Sequence, residues 1–143
     1  MGHLSGEYFH KLDVKGRLSL PADIKRELES NRLKMTISPN DDCLYVFEHE
    51  AFIKWVAELL DRGEGFKANS LTQSSWRKKL NSRAMPVEID SYGRFGIPNA
   101  LRDAVSLDKD VVLIGDEDHF EIWDSRRWND FSESVDLTAL FEE

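Results

Sequence analysis

An α+β fold, built from two copies of one unit about a pseudo-twofold axis, is predicted by three features of the sequence. The stretch LDVKGRLSLP at residues 12–21 returns as IDSYGRFGIP at residues 89–98. Each is followed by a short helical pattern, ADIKREL in the first copy and NALRDAV in the second. Each helical pattern then leads into two strand-like runs.

The shared frame is Asp-x-x-Gly-Arg-x-x-x-Pro, carried by Asp13, Gly16, Arg17 and Pro21 and again by Asp90, Gly93, Arg94 and Pro98. Apolar Leu12, Leu18 and Leu20 correspond to Ile89, Phe95 and Ile97. An Asp that opens a turn accepts hydrogen bonds from backbone N–H groups beyond it. Gly supplies the positive φ that such a turn needs. The phrase therefore reads as strand, tight turn, strand. Pro then suits the first position of a helix, where a missing N–H costs nothing. Ile24 and Leu28, matched by Leu101 and Val105, lie one turn apart on one helix face.

The likeness continues beyond the helix. LKMTI (33–37) corresponds to DVVLI (110–114), and CLYVFE (43–48) to HFEIWD (119–124), all strand-like; Phe52 and Trp128 then fall at matching places. The register slips by one residue in the polar loop between the two strands, where an insertion costs little. The expected layout is a first copy over residues 6–50, a helical connecting segment over 51–82, a second copy over 83–126 and a C-terminal helix or tail over 127–143. In the connector, Phe52, Ile53, Val56, Leu59 and Leu60 have helical spacing and Gly63 stops the run. GEGFKANS (63–70) reads as loop. LTQSSWRKKLNSR reads as a second helix, capped by Thr72 or Ser70, with Trp76 and Leu80 one turn apart. SVDLTALFEE at the end reads as a short frayed helix. So short a unit buries too little surface to stand alone. The two copies are expected to complete one sheet between them.

The chain has 143 residues, enough for one core without a disulfide or metal. No apolar run approaches the ~20 residues that cross a bilayer, and no signal pattern opens the sequence. With Cys43 the single cysteine, a cytosolic location is the expectation. The net charge of −8 is unevenly spread: residues 103–143 carry 13 acidic and 3 basic side chains, whereas residues 11–34 carry 7 basic and 4 acidic. Binding to phosphate follows the local field rather than the total, so an anionic partner is permitted at one end of the molecule.

The arginine after each glycine has two open readings. Arg17 and Arg94 can pair with Asp13 and Asp90, an exposed ion pair contributing about 0–1 kcal/mol. They can instead reach a phosphate or a guanine edge, since an Arg on a stiff two-stranded ribbon fits the major groove. Both hold if the Asp orients the Arg. Asp13, Gly16, Asp90 and Gly93 read as structural turn residues. The first copy is the stronger candidate for nucleic acid, with Lys11, Lys15 and Arg17 at the turn and Lys25 and Arg26 on the next helix. The second has Ser91 and Tyr92 in place of Val14 and Lys15; Tyr92 could stack or bond to a sugar-phosphate. His3, His10, His49 and His119 lack metal-ligand spacing, with His119 read as lining a sheet. RKK (77–79) with Arg83 reads as a solvated helix face, and Trp55, Trp76, Trp123 and Trp128 as core or interface anchors. No catalytic, phosphate-loop or metal motif points to an enzyme or a cofactor.

GEYFHKLDVKGRLSLP (6–21), DSYGRFGIP (90–98) and DVVLIGDEDHFEIWD (110–124), found together in one short chain, resemble the MraZ family across about residues 4–130. The resemblance implies the swapped-hairpin fold of the AbrB/SpoVT class, a pseudo-twofold, β-barrel-like core with short helices. It also implies a cytoplasmic, nucleoid-associated transcriptional regulator. Such proteins form ring-like homo-oligomers and bind short, G-rich direct repeats in double-stranded DNA upstream of their own cell-division and cell-wall genes. The family's DNA-contacting arginine falls on Arg17, with Lys15 beside it and Arg94 at the matching place. Neither a membrane nor a small-molecule substrate is implied. Two rivals stand beside this reading: a self-assembling scaffold without DNA binding, suggested by the acidic charge and the tryptophans, and an AbrB-like antitoxin.

Overall fold

A computed structural model describes residues 3–40, 42–62 and 71–142. Each copy contributes strand, turn, strand, helix and two further strands. In the first copy these are β1 (Glu7–Lys11), β2 (Arg17–Ser19), α1 (Ala22–Glu27), β3 (Arg32–Ile37) and β4 (Leu44–Glu48). The connector forms α2 (His49–Asp61) and α3 (Leu71–Arg83). The second copy gives β5 (Met85–Glu88), β6 (Arg94–Gly96), α4 (Asn99–Ala104), β7 (Asp110–Asp116) and β8 (His119–Asp124). The chain continues with α5 (Ser125–Ser134) and the single turn α6 (Thr138–Phe141).

The copies exchange strands. β1 does not pair with β2, its neighbour in sequence; it pairs antiparallel with β7 of the second copy. Correspondingly β5 pairs with β3 of the first. The result is a six-stranded sheet in the order β1-β7-β8-β4-β3-β5, with β2 and β6 forming a separate two-stranded ribbon. Two pairings join equivalent residues. In the ribbon Leu18 faces Phe95, and in the sheet Tyr45 faces Glu121. Both lie where the pseudo-twofold axis must pass.

This exchange builds a single core from both copies. One apolar cluster holds Leu18, Leu20, Ile24, Leu33, Met35 and Val46 from the first copy with Phe95, Ile97, Leu101, Val111, Leu113 and Ile122 from the second. Leu18 is fully buried and Phe95 nearly so. Ring edges meet where Phe95 packs on Phe120, 6.2 Å between centroids.

The connector packs as a satellite. Phe52, Val56 and Leu60 of α2 bury one face against Phe47, with Trp55 and Leu80 alongside. Ile53, expected on that face, is half exposed, while Phe52, Val56 and Leu60 take the buried stripe. Trp76 is likewise 51% exposed rather than an anchor in this chain's core. Thr72 lies inside α3 instead of capping it. Ser70 and the expected 63–70 loop lie outside the described residues. Gln73, unremarked in the sequence, is buried and donates from Nε2 to the Leu60 carbonyl at 3.0 Å, tying α3 to the end of α2.

At the C-terminal end, Asp124 caps α5 by accepting from the Arg126 and Arg127 amides. Trp128 donates from Nε1 to Glu7 on β1 at 2.7 Å, fastening α5 to the exchanged strand. Among the described residues no helix is long and apolar enough to cross a membrane.

Candidate nucleic-acid interface

The two turns carry the same bonds atom for atom. Asp13 accepts at Oδ1 from the amides of Lys15 (2.9 Å) and Arg17 (2.8 Å), and at Oδ2 from Arg17 Nε (2.7 Å). Asp90 accepts at Oδ1 from Tyr92 and Arg94, both at 2.9 Å, and at Oδ2 from Arg94 Nε at 3.2 Å. Gly16 and Gly93 have φ of +75° and +77°, which their missing Cβ permits. Backbone bonds from Gly16 to Asp13 and from Gly93 to Asp90 close the turns. Each glycine carbonyl then accepts across the ribbon, Gly93 from Leu20 and Gly16 from Ile97. The turns are therefore fixed to each other as well as to themselves.

The pairing of each arginine with its Asp is present, and it leaves the far end of the guanidinium open. The Asp takes Nε, which fixes the plane of the guanidinium, while the terminal nitrogens of Arg17 and Arg94 have no hydrogen-bond partner among the described residues. The side chains are 35% and 30% exposed. Such a group is oriented before any ligand arrives and keeps the donors that reach a phosphate or a guanine edge. The amide of Arg17 is the main cause that holds the Asp13 carboxyl down at about 2, with the guanidinium and Lys15 amide adding to it. Asp90 is lowered for the same leading reason, its bond from the Arg94 amide.

What stands around the arginines differs from expectation. Lys25 does not join its own copy's turn; it crosses to the second, with Nζ 3.6 Å from where a Cβ on Gly93 would stand. Its counterpart Arg102 crosses the other way and covers Gly16 so closely that a Cβ there would overlap it. The strand exchange carries each helix to the opposite turn. Arg102 was not singled out in the sequence, and its Nε is buried with no hydrogen-bond partner. The signal was present: Lys25 and Arg102 hold the same place in ADIKREL and NALRDAV.

The remaining candidates divide. Lys15 is exposed, with no described partner for its ammonium. Lys11 sits opposite Asp110 in the β1–β7 ladder, with Nζ 3.8 Å from its carboxylate. Tyr92 is 80% exposed, and the Arg94 guanidinium lies 4.9 Å from its ring centroid, a cation–π contact. Arg26 turns aside to pair with Asp23. Arg17, Lys15 and Arg102 thus gather at the first turn, and Arg94, Tyr92 and Lys25 at the second.

Strand exchange between two copies, with a ribbon of paired Asp–Arg turns on the axis, defines a double-copy protein of the AbrB-like swapped-hairpin class. A family model described as "MraZ protein, putative antitoxin-like" matches residues 3–72 and 80–142. Relatives named "Transcriptional regulator MraZ" include one from Treponema denticola, 33% identical over 93% of this chain and 95% of its own length. Another, from Thermoanaerobacter pseudethanolicus, is 34% identical over 98% of this chain and 92% of its own. A third, from Finegoldia magna, is 34% identical over 92% and 87%. The chain belongs to the MraZ family.

Proposed function

We propose that this protein is a transcriptional regulator that binds double-stranded DNA through the β2–β6 ribbon, with Arg17 and Lys15 leading and Arg94, Tyr92, Lys25 and Arg102 completing the surface. The carrying observation is the pair of guanidiniums held at Nε by Asp13 and Asp90, their terminal nitrogens without a hydrogen-bond partner among the described residues. A donor pair already fixed in one plane matches guanine O6 and N7 at little further entropic cost. The names of the relatives support regulation of transcription. Lys11 serves as a phosphate contact at most, because Asp110 competes for it. The operator we propose is a set of short, G-rich direct repeats upstream of the protein's own cell-division and cell-wall gene cluster, which places the protein in the cytoplasm on the nucleoid. Several subunits of a ring-like homo-oligomer read the repeats together, so that weak single contacts add.

Gel shifts with the DNA upstream of the protein's own gene test this. Affinity is expected to fall steeply with salt. Arg17→Ala is expected to cost about 1–3 kcal/mol for each bidentate pair of base hydrogen bonds it removes. Unchanged affinity in Arg17→Ala removes the ribbon from the role. A large particle with no salt-sensitive DNA retention favours a scaffold instead.

A further inference from the structure

We propose that Asp116, His119 and Glu121, at the β7–β8 hairpin end remote in sequence from either turn, form a binding site for one divalent transition-metal ion of the Zn²⁺ class. The ligand atoms of the three all lie within 4.8 Å of one another. His119 Nε2 stands 2.8 Å from Glu121 Oε2 and 3.8 Å from Asp116 Oδ2. Those two distances bracket the roughly 3.3 Å between neighbouring donors of a tetrahedral ion with bonds of about 2.0–2.1 Å.

The groups behind the donors carry the argument further. Metal-binding histidines usually give their other ring N–H to a carboxylate, which fixes the tautomer and turns the free lone pair toward the ion. Here His119 Nδ1 lies 2.8 Å from Asp118 Oδ1, leaving Nε2 for the ion. Glu121 is anchored in the same manner: its Oε1 accepts from Trp123 Nε1 at 2.9 Å and from the Cys43 thiol at 3.6 Å, so Oε2 is the oxygen left to bind. Tyr45 and Phe47 hold the imidazole from the side, with ring centroids 4.3 and 5.0 Å away. The side chains of His119 and Glu121 are only 8% and 10% exposed, while that of Asp116 is 60% exposed and forms the open rim. Ion entry and the remaining water ligands belong on that side.

Charge points the same way. Three carboxylates, Asp116, Asp118 and Glu121, surround one imidazole, and among the described residues no lysine or arginine pairs with any of them. A protonated His119 leaves the group at −2. A divalent ion on the neutral ring leaves it at −1 and replaces the proton that otherwise bridges Nε2 and Glu121. Cys43 stands behind the site rather than in it: its thiol contacts Glu121 Oε1, the oxygen turned away from the ion, and the clustered donors are Asp116, His119 and Glu121. All three ligands come from the second copy, and Glu121 reaches the first through its contact with the Cys43 thiol.

Zn²⁺ titrated into the full chain by calorimetry, with Co²⁺ as the absorbing probe, tests the site. One ion per chain is expected, with affinity lowered at least ~10-fold in Asp118→Asn, the order seen when outer-shell partners are removed. Saturable uptake should be lost in His119→Gln and retained in Cys43→Ser. Nitrogen-15 spectra of the unmutated protein guard against a variant that fails to fold: Zn²⁺ should move the Nε2 signal of His119 while Nδ1 keeps its proton. Absence of saturable uptake, or shifts confined to His3, His10 or His49, overturns the proposal.

Discussion

The two Asp-Gly-Arg turns share one skeleton and present two different surfaces. Every bond of the first, from Asp13 to Lys15 and Arg17, has its counterpart in the second, from Asp90 to Tyr92 and Arg94. At the first, an open lysine and the crossing Arg102 flank Arg17; at the second, Tyr92 lies against Arg94 and Lys25 crosses over. The backbone is thus held by residues that repeat, and the outward chemistry by the two positions between Asp and Gly, which do not. Those two positions bear no bond that closes the turn through their side chains, so they are open to change without cost to the fold.

If the ribbon is one unit rather than two turns side by side, breaking its axis should release both. Phe95→Ala removes a ring that is 2% exposed and packs between Leu18 and Phe120, and should cost about 3–5 kcal/mol in urea unfolding. Amide signals of both Lys15 and Tyr92 should move. A change confined to the second turn would show that the halves are independent.

The glycines sharpen the comparison at smaller scale. Gly93→Ala meets only the positive φ and should cost about 1–2 kcal/mol, because Lys25 leaves room for a Cβ. Gly16→Ala meets the same φ and must also displace Arg102, so its thermal midpoint should fall further than that of Gly93→Ala. Equal losses would mean that Arg102 does not rest on the first turn.

The gentlest probe is acid. Asp13 and Asp90 both have pKa values depressed by folding, so each contributes stability above the ordinary carboxylate range near 4. For Asp13 that contribution is lost as pH falls from about 4 through about 2. Carboxyl carbon-13 titration should find both residues below an ordinary Asp. A normal value at only one would separate the turns electrostatically.

Much of this was legible before the structure. The duplication, the turn frame and the four long strands follow from alternation and turn chemistry, which act between near neighbours. The pairing Leu33–Glu48 and its continuation illustrate the point: β3 and β4 lie where LKMTI and CLYVFE alternate. Arg102 was not legible in the same way. Its role depends on α4 crossing to the opposite turn, and the sequence marks it only by its match in place to Lys25. Nor did spacing reveal the cluster at Asp116, His119 and Glu121. Its three donors come from one hairpin end, and its anchors, Cys43 and Trp123, come from the residue before β4 and from β8, far apart in sequence.

By itself the sequence determined what each segment is: twin turns pinned by Asp and Gly, an arginine after each, and strands whose apolar faces need a partner. Only the tertiary structure decided which partner. β1 satisfies its backbone ladder on β7, and β5 on β3, because the two copies are alike enough that either hairpin can take the other's strand. Alternation sets which side of a strand is apolar, but carries no label for whose sheet it joins. That choice, made by packing across the axis, is what carries Lys25 and Arg102 to each other's turns.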